Sequence, residues 1–144
     1  LDTNDVVTAW APAQPIPIEM GPLTFAYPID IHKLVNTVTF EKTGTGYDRG
    51  VSDVFLKNNV SINETPFEMG EVSFHHNLNF HSAPRNRTNR SRVALANTYY
   101  RDGARVVNAP TMVSGDWQKF MPNVKPGDVA ASPLNPICWP VKDK

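Results

Sequence analysis

Apolar and polar residues alternate along this chain in short runs, and no stretch keeps a helical period for three turns. The alternation predicts strands over Val6–Ala11, Leu23–Tyr27, Val35–Phe40, Val72–His76, Leu78–His81 and Val93–Tyr100. Proline, glycine, asparagine and aspartate fill the gaps and read as turns. "APAQPIPIEMGP" reads as a connector and "KTGTGYDRG" as a polar loop, while "SDVFLKNNVSIN" starts with one helical turn before returning to strand. Beyond Tyr100 the chain is rich in proline, glycine and aspartate, which predicts an extended tail wrapped around the strands. Short strands with so few helical segments suggest a β-sandwich or a jelly roll.

The 144 residues hold one domain, complete or incomplete. The opening "LDTNDVVTAW" lacks a methionine and enters a strand almost at once, so further sequence is expected upstream. Fourteen basic residues balance fourteen acidic ones, which leaves no global field to attract nucleic acid or an anionic membrane. No apolar run approaches the roughly 20 residues that span a bilayer. Cys138 is the single cysteine, so no internal disulfide forms, and a reducing, cytoplasmic setting is expected. The sequons at Asn59, Asn63, Asn86 and Asn89 are put down to chance in an asparagine-rich chain.

Chemistry concentrates in "GEVSFHHNLNFHSAPRNRTNRSRVALANTYY", which holds three of the four histidines. In an unbroken strand His75, Asn77, Asn79 and His81 share one face, and at about 3.3 Å per residue the outer two stand roughly 20 Å apart. They then bind no common ion, whereas a turn near His76 and Asn77 changes that geometry. Arg85, Arg87 and Arg90 read as a solvated loop, and the absence of aromatics from Pro84 to Arg92 argues against a nucleic-acid surface. Arg92 differs, because it opens a strand whose same face continues with Ala94, Ala96 and Thr98. A guanidinium on an inward face needs an anion to offset its desolvation, and a carboxylate suits it best.

The segment "GEVSFHHNLNFHSAPRNRTNRSRVALANTYYRDGARV" resembles the C-terminal motif of the phytanoyl-CoA dioxygenase family. In that motif a strand ends in a metal-binding histidine and an arginine follows eleven residues later, as Arg92 follows His81. "DVVTAWAPAQPIPIEMGPLTFAYPIDIHK" is similar to a family segment through Trp10, Gly21, Leu23, Pro28, His32 and Lys33, and "KPGDVAASPLNPICWP" to the end of one family branch.

The resemblance implies an incomplete double-stranded β-helix, a jelly-roll, cupin-like core. Residues 1–144 would form the C-terminal portion of one oxygenase domain, with 101–144 as its tail. It also implies Fe(II), 2-oxoglutarate as co-substrate and O2, with hydroxylation of an unactivated C–H bond in a small organic molecule. His81 would be the distal iron ligand, Arg92 would clamp the far carboxylate of 2-oxoglutarate, Trp10 would line the pocket, and Thr88 or Asn86 would add a polar contact. His75 or His76 would support the site by a hydrogen bond or simply pack. The family's H-x-D ligands lie upstream, Asp2 is not expected to replace them, and Ala83 stands where some members carry a serine. With one such ligand the chain by itself is expected to bind Fe(II) poorly. A non-catalytic jelly-roll module, a partner-binding fragment and a halogenase lacking the carboxylate ligand are the competing readings; oligomeric state stays open.

Overall fold

The protein is described by a computed structural model over residues 1–41, 44–108 and 117–139. Its strands are β1 (Val6–Pro12), β2 (Thr24–Tyr27), β3 (Ser61–Glu64), β4 (Ser73–His76), β5 (His81–Ser82) and β6 (Ala94–Tyr100). The helices are α1 (His32–Val35), α2 (Gly46–Lys57) and α3 (Trp117–Phe120). No helix among the described residues is long and apolar enough to cross a membrane. The chain divides into two compact units, one formed by Val7–Tyr99 and the other by Leu1–Val6 with Tyr100–Lys144.

In the larger unit two three-stranded sheets form, ordered β4-β1-β6 and β3-β2-β5. In the first, antiparallel β4 places Thr8 opposite His75 and Trp10 opposite Ser73. A hydrogen bond from the Ala13 N–H to the Val93 carbonyl at 3.0 Å and the shared hydroxyl bond of Thr8 and Thr98 at 3.0 Å set β6 antiparallel to β1. In the second sheet Phe25 stands opposite both Asn63 and His81, and Ala26 opposite Ile62. The two antiparallel sheets and few helices agree with the mainly β part of the expected fold class.

Three local expectations are corrected. Val35–Phe40 is not a strand: α1 ends at Val35, and the Val38 N–H closes a turn onto the Val35 carbonyl at 2.9 Å. Ile31 and Val35, four residues apart, bury side by side against Ala26, so the core contact overrides the β-branched run. The segment read as loop, one helical turn and strand contains the 12-residue α2. Its Tyr47, Val51, Val54 and Phe55 pack on the same core at helical spacing, although glycines and β-branched residues dilute the pattern. Finally, Leu78–His81 does not continue as a strand, because the chain reverses after His76 and only His81–Ser82 pairs with β2.

The first sheet keeps an uncovered face. By alternation Val7, Phe74 and Leu95 share it, and Phe74 is 72% exposed and Leu95 61% exposed. An exposed apolar face of this kind commonly marks a site of interaction.

In the smaller unit the N-terminal residues pair with the segment after Tyr100. The Asp2 N–H donates to the Arg105 carbonyl at 2.9 Å, and the Asp2 carboxylate accepts the Arg105 N–H at 2.8 Å. Asp2 is thus a backbone-pairing residue in this unit. Ala104, Val106 and Ala130 are buried, and the Tyr100 hydroxyl donates to the Ala130 carbonyl at 2.6 Å. Burial raises the Tyr100 phenol above its ordinary pKa, which keeps it a donor. Tyr100→Phe is expected to cost about 1 kcal/mol, read as a lowered urea midpoint. Residues 109–116 and 140–144 of the expected tail lie outside the described residues.

Candidate functional site

The reversal after β4 builds the site. The Asn79 N–H donates to the His76 carbonyl at 2.9 Å, and His76 Nδ1 accepts the Leu78 N–H at 3.1 Å, so His76 shapes the turn. The turn carries the chain from one sheet to the other and returns His81 toward His75. Their ring centroids are 4.7 Å apart, and Phe25 lies against them at 5.2 Å from His75 and 6.3 Å from His81. The separation of roughly 20 Å expected for an unbroken strand is thereby corrected.

His75 is buried, and its Nδ1 lies 3.2 Å from the Ser73 hydroxyl. Burial first, and the neighbouring His81 second, push its imidazole below the ordinary 6.5. In the unfolded chain that imidazole protonates first, so His75 lowers stability as pH falls through about 6.5. A proton NMR titration is expected to give His75 a midpoint below 6.5, and a midpoint at or above that value contradicts the burial argument.

His81 is exposed on β5, and its Nδ1–H donates to the Asn79 carbonyl at 2.9 Å. A carbonyl can only accept, so this bond fixes the neutral tautomer with the Nε2 lone pair free to bind a metal. Asn79 also carries the one buried side-chain polar atom without a hydrogen-bond partner among the described residues, its Oδ1. An orphaned buried oxygen is costly unless a water or an ion meets it. Among the described residues no three histidine, cysteine, aspartate or glutamate side chains converge as a metal cluster. His81 Nε2 is thus open to an ion, without a three-residue ligand cluster among the described residues.

Arg92 precedes β6 and is partly buried. Its Nη1 donates to the Gly21 carbonyl and, at 3.4 Å, to the carbonyls of Met20 and Pro84. Three backbone oxygens thus anchor one edge of the guanidinium. Its Nε and Nη2 make no hydrogen bond among the described residues. Gly21 permits this convergence: its φ is +71°, and an added Cβ would overlap the Pro84 carbonyl and come within 3.2 Å of Arg92 Nη1.

Register places most of the remaining candidates on one face. His75 opposes Thr8, Trp10 opposes Ser73, and Thr98 bonds Thr8, so Trp10, Ala96, Thr98 and His75 share one face of the first sheet, and on it His75 meets Phe25 of the second. Trp10 packs edge-on against Phe67 at 5.0 Å between centroids. Thr88 is committed to its own loop, its hydroxyl donating to Asn86 Oδ1 at 2.7 Å while Asn86 Nδ2 donates to the Arg90 carbonyl at 2.7 Å. Thr88 and Asn86, either of which is expected from the sequence to add a polar contact, thus bond within the arginine loop.

Sequence reasoning passed over Thr24. It is buried, shares a hydroxyl bond with Ser82 at 3.0 Å and donates to the Ser82 carbonyl at 3.1 Å, holding β5 to β2 beside His81. A cleft of about 410 Å³ opens where α2 faces β2 and β5, and Tyr47, Asp48, Phe55, Phe80 and His81 are among its lining residues.

No protein-family model matches the chain, and no curated protein matches it. Solved structures similar to it include the following two. The crystal structure of the non-heme alpha ketoglutarate dependent carbocyclase SnoK from nogalamycin biosynthesis matches with a TM-score of 0.62 and 24% identity, over 90% of this chain and 47% of that one. The non-heme alpha ketoglutarate dependent epimerase SnoN from the same biosynthesis matches with a TM-score of 0.58 and 17% identity, over 91% of this chain and 48% of that one. The chain spans about half the length of each. At such identities the likeness is one of fold: the chain folds like part of a non-haem, α-ketoglutarate-dependent enzyme.

Proposed function

We propose that the protein is an Fe(II)- and 2-oxoglutarate-dependent dioxygenase of the phytanoyl-CoA dioxygenase family, acting on an unactivated C–H bond of a small organic substrate. The observation that carries this reading is His81, locked by the Asn79 carbonyl with its Nε2 free, on a strand whose end adjoins the Arg92 anchor at Pro84. The fold shared with two α-ketoglutarate-dependent enzymes supports it. A cytoplasmic location is part of the same proposal.

The chain's own residues have definable tasks on this reading. His81 Nε2 supplies one neutral ligand to iron, and the carbonyl on its Nδ1–H keeps the ring from rotating away. Arg92, pinned through Nη1, offers Nε and Nη2 as a fork for the far carboxylate of 2-oxoglutarate. Ala94 and Ala96 leave room in front of that fork, and the Trp10–Phe67 pair forms an apolar wall on the same face. When bound, iron with 2-oxoglutarate activates O2, yielding succinate, carbon dioxide and one oxidising equivalent pair for the substrate.

Hydroxylation is the reaction favoured here, with ring closure, epimerisation and halogenation as alternative uses of the same oxidant. SnoK is a carbocyclase and SnoN an epimerase. The test is succinate release coupled to oxygen uptake by the full-length gene product supplied with Fe(II) and 2-oxoglutarate. No release under these conditions would favour a non-catalytic jelly-roll module. Product analysis under labelled oxygen then separates hydroxylation from reactions that add no oxygen atom.

A further inference from the structure

We propose that His75, His81 and the Asn79 carboxamide oxygen form a binding site for a divalent transition-metal ion of the nickel, copper or zinc class. The site shares His81 with the iron centre proposed above, but it requires neither 2-oxoglutarate nor any ligand from another segment.

The spacing of the rings carries the inference. An imidazole that binds through nitrogen at about 2.0–2.1 Å places its ring centre roughly 3.2 Å from the ion. Two such rings held about 90–110° apart at the ion have centres about 4.5–5.2 Å apart. The His75 and His81 centres are 4.7 Å apart, with the rings tilted by 53°. Packing alone does not require that separation, since the Phe25 ring touches the same pair at the longer 5.2 and 6.3 Å.

The hydrogen bonds leave the Nε2 edge of each ring open, and a metal at His75 Nε2 requires the His75 Nδ1–H to donate to the Ser73 hydroxyl. His81 Nδ1 is held by the Asn79 carbonyl and His75 Nδ1 by the Ser73 hydroxyl, so both Nε2 atoms stay without partners among the described residues. This pattern, with one nitrogen anchored and the other free, is how ligating histidines are held. Asn79 supplies the independent observation. It sits between the two histidines on the reversing turn, and its Oδ1 is buried with no hydrogen bond. A cation coordinated there satisfies that oxygen and completes a donor set of two nitrogens and one oxygen.

The donor chemistry sets the preference. Two imidazoles and a carboxamide carry no formal charge, so the set disfavours magnesium and calcium, which need hard oxygen ligands. Among first-row ions Fe(II) binds more weakly than nickel, copper or zinc at such a site. The chain therefore distinguishes these ions from iron by the same two rings.

Calorimetric titration of the chain with nickel chloride, without 2-oxoglutarate, is expected to show one ion per chain. His75→Gln and His81→Gln are each expected to weaken binding at least 30-fold, and Asn79→Ala about 3- to 10-fold. His32→Gln, on α1, is expected to change it less than 2-fold. Retention of wild-type affinity in His75→Gln would overturn the proposal. NMR of the nitrogen-labelled histidines in wild-type chain provides a readout free of mutation: zinc is expected to shift Nε2 of both His75 and His81. A shift of His81 alone overturns the shared site yet leaves the iron reading standing, because succinate release tests that separately.

Discussion

Replacing Arg92 by alanine is expected to raise the 2-oxoglutarate concentration needed for half-maximal succinate formation by about 100-fold or more, with a smaller change in kcat. The guanidinium is anchored through Nη1 to the carbonyls of Gly21, Met20 and Pro84, so its remaining N–H groups are oriented before any ligand arrives. A carboxylate received by such a fork forms charge-assisted bonds that no neutral residue replaces. Arg92→Lys is expected to restore little, because an ammonium cannot hold three carbonyls on one side and a carboxylate on the other. Loss of the carbonyl bonds also lowers stability by about 1–3 kcal/mol. The shift in half-saturation, measured on protein shown to be folded, is the effect specific to co-substrate. An unchanged half-saturation would remove Arg92 from the co-substrate site.

The second large effect is expected at Gly21. Gly21→Ala forces an L-residue to φ +71° and drives a methyl group into the Pro84 carbonyl. Left-handed strain contributes about 1–2 kcal/mol and overpacking about 1–3 kcal/mol more. A loss of about 3 kcal/mol or greater is therefore expected, seen as a lower urea midpoint with unchanged slope. Gly70→Ala is the matched control, because Gly70 also has a positive φ, +99°, but no atom lies within 4 Å of its added Cβ. It is expected to lose only the strain component, so equal losses at the two sites would contradict the close approach at Pro84.

Strands with clean alternation, such as β1 and β6, were legible to within a residue, because their side chains meet one face of one sheet. α2 was not legible, since its helical spacing of Tyr47, Val51, Val54 and Phe55 is diluted by glycines and becomes decisive only against Ala26 and Phe80. Val35–Phe40 misled for the opposite reason, with β propensity outweighed by burial of Ile31 and Val35.

At the site, the His81 and Arg92 spacing was visible in the chain, whereas the position of His75 was not. Its nearness to His81 depends on where the chain reverses. Two bonds decide that, from the Asn79 N–H to the His76 carbonyl and from the Leu78 N–H to His76 Nδ1. A third bond, from His81 Nδ1–H to the Asn79 carbonyl, orients the ring and cannot be read from spacing. The carbonyls around Arg92 were likewise hidden, because Met20 and Gly21 lie about 70 positions earlier in sequence.

The most direct measurement is the visible absorption of the full-length gene product mixed anaerobically with Fe(II) and 2-oxoglutarate. A keto acid chelated to protein-bound Fe(II) gives a metal-to-ligand charge-transfer band that neither component shows alone. The wild-type protein is expected to develop this band, His81→Ala to lack it, and Arg92→Ala to require far more 2-oxoglutarate to reach it. A wild-type protein without the band, or a His81→Ala variant that retains it, would contradict the assignment of His81 as the iron ligand of a 2-oxoglutarate-dependent enzyme.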